Sequence, residues 1–263
     1  MITFCSLFSG SSGNAIYIAN ENTKILIDSG VSGKRIAASL ASIGIDAAEI
    51  DAVLVTHEHR DHSHGVGILS RRYNIPIYAN ENTWAGMEKD IGNIKIENMK
   101  KFDTHSEFYI KDICIHPFAI PHDAAEPVGY NFYIDDTKVT LATDIGHVNK
   151  ELISYLEGSH MILLESNHDV EMLKCGSYPY YLKQRILGEK GHLSNELAGE
   201  LAAYLAVKGT TRFLLGHLSK ENNFPQLAYQ TVYNAFESRK IKVGKDVLLD
   251  VAERERVSKV YNL

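Results

Sequence analysis

Four side chains suited to a divalent cation stand within six residues of one another: His57, His59, Asp61 and His62. They follow Ala52-Val53-Leu54-Val55, an apolar run that reads as a buried strand. Side chains alternate along an extended backbone, so His57 and His59 point to the same side. Two imidazoles converging in this way suit Zn²⁺ or a similar ion. Asp61 and His62 come after the chain begins to turn, where they can hold a second ion beside the first. A strand end fixes side-chain direction, so ligands placed there need little further ordering.

The elements that must position such ligands are short, apolar and bounded by Gly, Pro, Asn or Asp. Strands are expected at Ala15–Ala19, Lys24–Ile27, Ala52–Val55, Ile75–Tyr78, Asp112–Ile120, Tyr130–Ile134, Lys138–Ala142, Met161–Leu164, Arg212–Leu215 and Asp246–Val251. Asp135-Asp136 marks a hairpin turn. Helix-period segments lie between them at Gly33–Ser42, Gly65–Tyr73, Glu81–Lys89, Ser194–Ala206 and Pro225–Glu237. This alternation predicts an α/β sandwich of mixed sheets. No linker, repeat or low-complexity stretch divides the chain, so residues 1–263 are expected to form one domain.

Composition sets the outer bounds. With 44% apolar and 23% charged residues, disordered, collagen-like and coiled-coil chains are excluded. Net charge is −6, so any polyanion must be met by local positive charge. The three cysteines, Cys5, Cys114 and Cys175, are far apart and form no C-x-x-C pair, as expected of reduced thiols in the cytoplasm. The uncharged first twenty residues lack a basic start and are broken by Ser9–Asn14, which argues against a signal peptide. No run approaches the roughly 18 apolar residues of a membrane span.

The segment His57-Glu58-His59-Arg60-Asp61-His62 resembles the metal-binding motif of the metallo-β-lactamase superfamily, an αββα sandwich of two mixed sheets flanked by helices. The resemblance extends along the chain, through Asp28 after Lys24–Ile27, His122 in Ile120-Pro121-His122, Asp144 after Val139–Thr143, and His217 after Phe213–Gly216. It implies that His57, His59 and His122 hold one ion, that Asp61, His62 and His217 hold another, and that Asp144 bridges them. Asp28 would orient a ligand histidine. Two divalent metal ions are implied, Zn²⁺ or Mn²⁺ first and Fe²⁺ third, because mixed His/Asp ligation accepts all three. Five neutral imidazoles and two carboxylates leave such a pair positive, which attracts an anionic phosphate. Asp144 stands where true β-lactamases commonly carry Cys, and His59 stands where the flavodiiron oxidoreductases carry Glu.

Gly191-His192-Leu193-Ser194 is similar to a motif of the tRNA-processing ribonuclease Z group, in which a histidine assists the leaving oxygen. His192 and Asp61 are therefore the candidate catalytic residues, although Ser194 equally marks the start of a helix. The whole pattern most resembles the YycJ-like (WalJ-like) branch. It is carried by Leu7–Asn14, Glu165–Asp169, Gly191–Asn195 and His217–Asn223. That resemblance implies a nuclease acting on DNA in preference to RNA, degrading it 5′ to 3′. No protein partner is indicated. A small-molecule hydrolase, either a cyclic phosphodiesterase or a thioesterase, is the rival on the same core. A non-catalytic metal module is disfavoured by the complete ligand set.

Weaker candidates for substrate contact carry plainer readings beside them. Ser11, Ser12 and Asn14 belong to either a phosphate cradle or a tight turn. Asn167 and His168 either line the pocket or, for Asn167, cap a helix. Tyr178–Arg185 interleaves Tyr180 with Lys183 and Arg185, which suits either base stacking with phosphate contact or ordinary half-buried tyrosines. His64, His105, His116, His147 and His160 fill no ligand position.

Overall fold

The computed structural model describes residues 1–263. Two seven-stranded mixed sheets stack face to face. The first contains β1 (Thr3–Phe8), β2 (Ala15–Ala19), β3 (Lys24–Ile27), β4 (Ala52–Leu54), β5 (Ile77–Ala79) and β6 (Met99–Lys101) in chain order, with β14 (Tyr261–Asn262) beside β1. The second contains β7 (Phe108–Ile110), β8 (Ile113–Ala119), β9 (Val128–Ile134), β10 (Thr137–Ala142), β11 (Met161–Glu165), β12 (Arg212–Gly216) and β13 (Leu248–Val251) in chain order. The run from β3 to β6 is parallel, as is the run from β10 to β13.

The strands read as near-continuous apolar runs because both faces are covered. Ile25 and Ile27 of β3 face the opposite sheet, where they pack with Leu163 of β11 and Leu214 of β12. Leu26 between them points outward, onto α1 (Gly33–Ser42), α3 (Val66–Tyr73) and α4 (Glu81–Ile91). On the other side Ile162, Leu164 and Phe213 point outward onto α5 (Lys150–Leu156), α8 (Asn195–Val207) and α9 (Pro225–Ser238). Helices therefore flank both sheets in an αββα sandwich. Truncating a buried leucine such as Leu163 to Ala would cost roughly 2–5 kcal/mol. No helix is long and apolar enough to cross a membrane.

All ten expected strands and five expected helices are present, with no end shifted by more than two residues. Asp135 takes a positive φ at the hairpin, and Asn74 ends α3 in a left-handed conformation. Strands β1, β6, β7 and β14 and helix α5 lie outside the expected set, as do the short α2 (Arg60–Ser63), α6 (Val170–Cys175) and α7 (Tyr180–Leu187). Strand β6 is largely exposed and is read only through its pairing with β5.

The fold matters for function at the carboxyl ends of the parallel strands, where the connecting loops of both sheets meet. Asp28 follows β3 directly, Asp144 stands two residues past the end of β10, and His217 follows β12 directly. All three have φ between 54° and 63°, a left-handed backbone uncommon outside Gly and most accessible to Asn, Asp and His. The Tyr130 hydroxyl donates to the Val55 carbonyl at 2.7 Å, tying β9 of one sheet to the start of the 56–62 loop on the other.

Candidate metal centre

The loop carrying His57 to His62 is held from below by backbone. Asn14 N donates to Asp61 O at 2.8 Å, Ser29 N to His62 O at 2.7 Å, and Gly30 N to Asn14 O at 2.8 Å. Gly30 lies so close beneath this loop that a Cβ there would sit 1.6 Å from the Asp61 carbonyl oxygen. Only glycine fits. Glu58 ties the loop to the next one by accepting from Ala125 N at 2.8 Å.

The expected ligands converge. The metal-binding atoms of His57, His59 and His122 lie within 4.8 Å of one another, as do those of Asp61, His62 and His217. Asp144 lies between the groups, its Oδ1 3.7 Å from His122 Nε2 and its Oδ2 3.5 Å from His62 Nε2. Asp61 Oδ2 is 3.6 Å from Nε2 of both His62 and His217. Asp144 Oδ2 and His217 Nε2 are buried with no hydrogen-bond partner. Such orphaned atoms are costly unless something binds them. A cation among these inward-facing nitrogens and oxygens satisfies them. The residues therefore fit divalent metal ions.

The outward ring nitrogens of His62, His217 and His122 are occupied, which aims the inner ones. His62 Nδ1 meets Asp28 Oδ2 at 2.7 Å, and Asp28 also accepts from Thr56 N at 2.9 Å. His217 Nδ1 meets Glu165 Oε1 at 2.8 Å, and His122 Nδ1 meets the Gly191 carbonyl at 3.1 Å. Such partners fix ring orientation at metal sites and raise ligand basicity. Glu165 went unassigned as a site residue in the sequence. It ends β11 as Asp28 follows β3, an acid closing an apolar strand, and that shared pattern was the available signal.

The two groups differ electrostatically. Burial, then the neighbouring imidazoles, hold His57 well below its usual range, and burial also lowers His122. Burial opposes charge on His62 too, but Asp28, Asp144 and Asp61 outweigh it and raise it to about 9. His217 is likewise raised against burial, chiefly by Asp144. His57 and His122 are thus kept neutral, as metal ligands must be, while the carboxylates around His62 and His217 draw positive charge.

His192 stands at the rim. Its Nδ1 contacts the same Glu165 oxygen at 2.9 Å, and its side chain is 18% exposed where His62 and His217 are almost fully covered. Ser194 does cap α8, accepting from Leu197 N at 3.3 Å. Asn14 and Asn167 are buried and brace the loops. Asn14 lies 3.1 Å from His62 Nε2, and Asn167 donates to the His217 carbonyl at 2.8 Å. The cap of α6 is Asp169, not Asn167. His168 is buried with neither ring nitrogen partnered. Ser11 and Ser12 are exposed on a cleft beside Asp61. Tyr180 and Tyr181 are 76% and 74% exposed on α7. Lys183 donates to the Lys174 carbonyl, and Arg185 is engaged by both carboxylate oxygens of Asp123, the residue after His122. Among histidines outside the ligand set, His105 meets the Tyr155 hydroxyl, His147 the Glu189 carbonyl and His160 the Lys138 amide, all packing roles.

Stacked mixed sheets with a His/Asp cluster at the carboxyl ends of their parallel strands define a metal-dependent hydrolase of the metallo-β-lactamase type. The chain belongs to the beta-lactamase superfamily domain family, whose model matches residues 23–218. It is 43% identical over 242 residues to exodeoxyribonuclease WalJ of Streptococcus pneumoniae, covering 91% of this chain and 90% of that one. It is 40% identical over 242 residues to exodeoxyribonuclease YycJ of Bacillus anthracis, covering 92% of each. The solved structure of the metallo-β-lactamase fold protein YhfI from Bacillus subtilis shares the fold, with a TM-score of 0.73 over 98% of both chains at 15% identity.

Proposed function

We propose that this protein is a DNA exonuclease that hydrolyses phosphodiester bonds 5′ to 3′ with two divalent metal ions, Zn²⁺ or Mn²⁺ ahead of Fe²⁺. The observation that carries the reading is the likeness to two named exodeoxyribonucleases across nine-tenths of both chains, joined to a ligand set with every position filled. His57, His59 and His122 would hold one ion, Asp61, His62 and His217 the other, and Asp144 both. When bound, two neighbouring ions lower the pKa of a shared water and stabilise the attacking and leaving oxygens.

The chain's own groups supply the rest. Asp28 and Glu165 hold His62 and His217 by Nδ1, so that Nε2 of each faces the centre. Asp61 joins the metal loop to the open cleft. His192, gripped at Nδ1 by Glu165, presents its free edge to the substrate and delivers a proton to the leaving oxygen. Three unpaired cysteines support a reducing, cytoplasmic setting.

The test is incubation with end-labelled single- and double-stranded DNA and RNA, each metal being added back after chelation. DNA should shorten progressively from its 5′ end only when metal is present. Cleavage of a small phosphodiester with every polymer left intact would install the small-molecule hydrolase instead.

A further inference from the structure

A cleft of about 510 Å³ opens beside Asp61 and is lined mainly by polar residues. Its walls bring together Ser11, Ser12 and Ser32 with Arg35, Arg60 and His64, and Val31 is its one apolar residue. Arg35 and Arg60 are exposed and make no ion pair, unlike Arg185 and Arg256, which grip carboxylates. Arg35 is steadied from behind by the Phe8 ring, 4.7 Å from its guanidinium carbon. Ser32 is the N-cap residue of α1, yet its hydroxyl makes no capping bond and stays free to face the cleft.

In a chain of net charge −6, two unpaired guanidiniums lining one cleft with three serines offer a local anion site. Guanidinium forks and hydroxyl donors together match phosphate oxygens. The volume falls within the roughly 300–1,000 Å³ of small-ligand sites, room for a phosphate together with its sugar. Asp61 belongs to both this cleft and the Asp61/His62/His217 group, so an occupant lies next to the reacting phosphate.

We propose that this cleft is a phosphate-binding subsite that holds the substrate strand beside the scissile bond, with Arg35 and Arg60 as its anchors. The proposal rests on the nuclease reading. The phosphate it grips is either the 5′-terminal group or an internal diester.

The test is the salt dependence of binding to a fluorescent single-stranded DNA oligonucleotide with a nuclease-resistant phosphorothioate backbone, made with a 5′-phosphate or a 5′-hydroxyl. Arg35→Ala and Arg60→Ala should each weaken binding about tenfold or more and flatten the log–log salt slope by roughly 0.7. Arg35→Lys, which keeps the charge, should retain the slope. Arg239→Ala, on a residue that lines no part of the cleft, is the control. A penalty confined to the 5′-phosphorylated strand identifies the terminal group, and an equal penalty on both identifies an internal diester. Metal content is measured alongside. If Arg60→Ala loses metal, Arg35→Ala decides alone, since it lies on a separate element. Wild-type slopes in both variants, from a protein that degrades natural DNA, overturn the subsite and leave the nuclease standing. If the wild type degrades no polymer, the nuclease reading falls and the subsite with it.

Discussion

One oxygen of Glu165 lies 2.9 Å from Nδ1 of His192 and, on its other flank, 2.8 Å from Nδ1 of His217. A single buried carboxylate therefore sets both a candidate metal ligand and the candidate proton donor. Its second oxygen is also committed, accepting from Ile145 N at 2.7 Å and Leu193 N at 2.9 Å. Those bonds tie β11 to the loops that carry Asp144 and His192.

Glu165→Gln should lower both metal affinity and turnover, each roughly 10–100-fold, because it loosens two rings at once. His192→Ala should reduce turnover by roughly 10²–10⁴ while metal content stays at the wild-type level. Elemental analysis beside steady-state kinetics separates the two effects. Loss of metal from the His192 variant would make that residue a ligand.

The protein should carry two divalent ions per chain, since two ligand groups share Asp144 between them. Asp144→Ala should lose at least one ion and keep its circular dichroism spectrum, because the three apolar clusters do not involve it. A metal-replete wild type holding one ion or none would end the dinuclear reading.

Gly30→Ala should destabilise the protein by roughly 1–3 kcal/mol or more, as its methyl group collides with the Asp61 carbonyl. The loop must move to admit it, so metal should be lost as well. Thermal melting and metal content should fall together. A variant with normal metal content would show that the loop tolerates displacement.

Tyr180→Ala and Tyr181→Ala should each weaken single-stranded DNA binding by roughly 1–3 kcal/mol if bases stack on α7. Both side chains are mostly exposed, so stability should change by less than about 0.5 kcal/mol. Unaltered affinity in the double variant would remove α7 from the binding surface. Arg185→Ala is less suitable for this purpose, because it frees Asp123 beside His122.

Legibility in the sequence followed burial and locality. Strands β3, β4, β10 and β12 stood out because both their faces are covered, and each runs into an Asp or His. The His57–His62 cluster was legible for the same reason, being compact. Strand β14 and the exposed β6 were not, since two or three residues acquire strand character only through a partner. Glu165 was passed over because its meaning lies in His192 and His217, 27 and 52 residues further on. Arg35 and Arg60 are likewise joined only by the cleft that the fold creates.

The left-handed backbone at Asp28, Asp144 and His217 has an evolutionary side. Each such residue is held at a cost of about 1–3 kcal/mol that glycine would largely avoid. Glycine at Asp28 or His217 would release that strain, but it would also strand the buried Thr56 amide and His62 ring or the Glu165 carboxylate, so relief in the backbone is offset by loss in the hydrogen-bond network. The strained backbone and the side chains it aims are therefore one inheritance, and neither can be exchanged without the other.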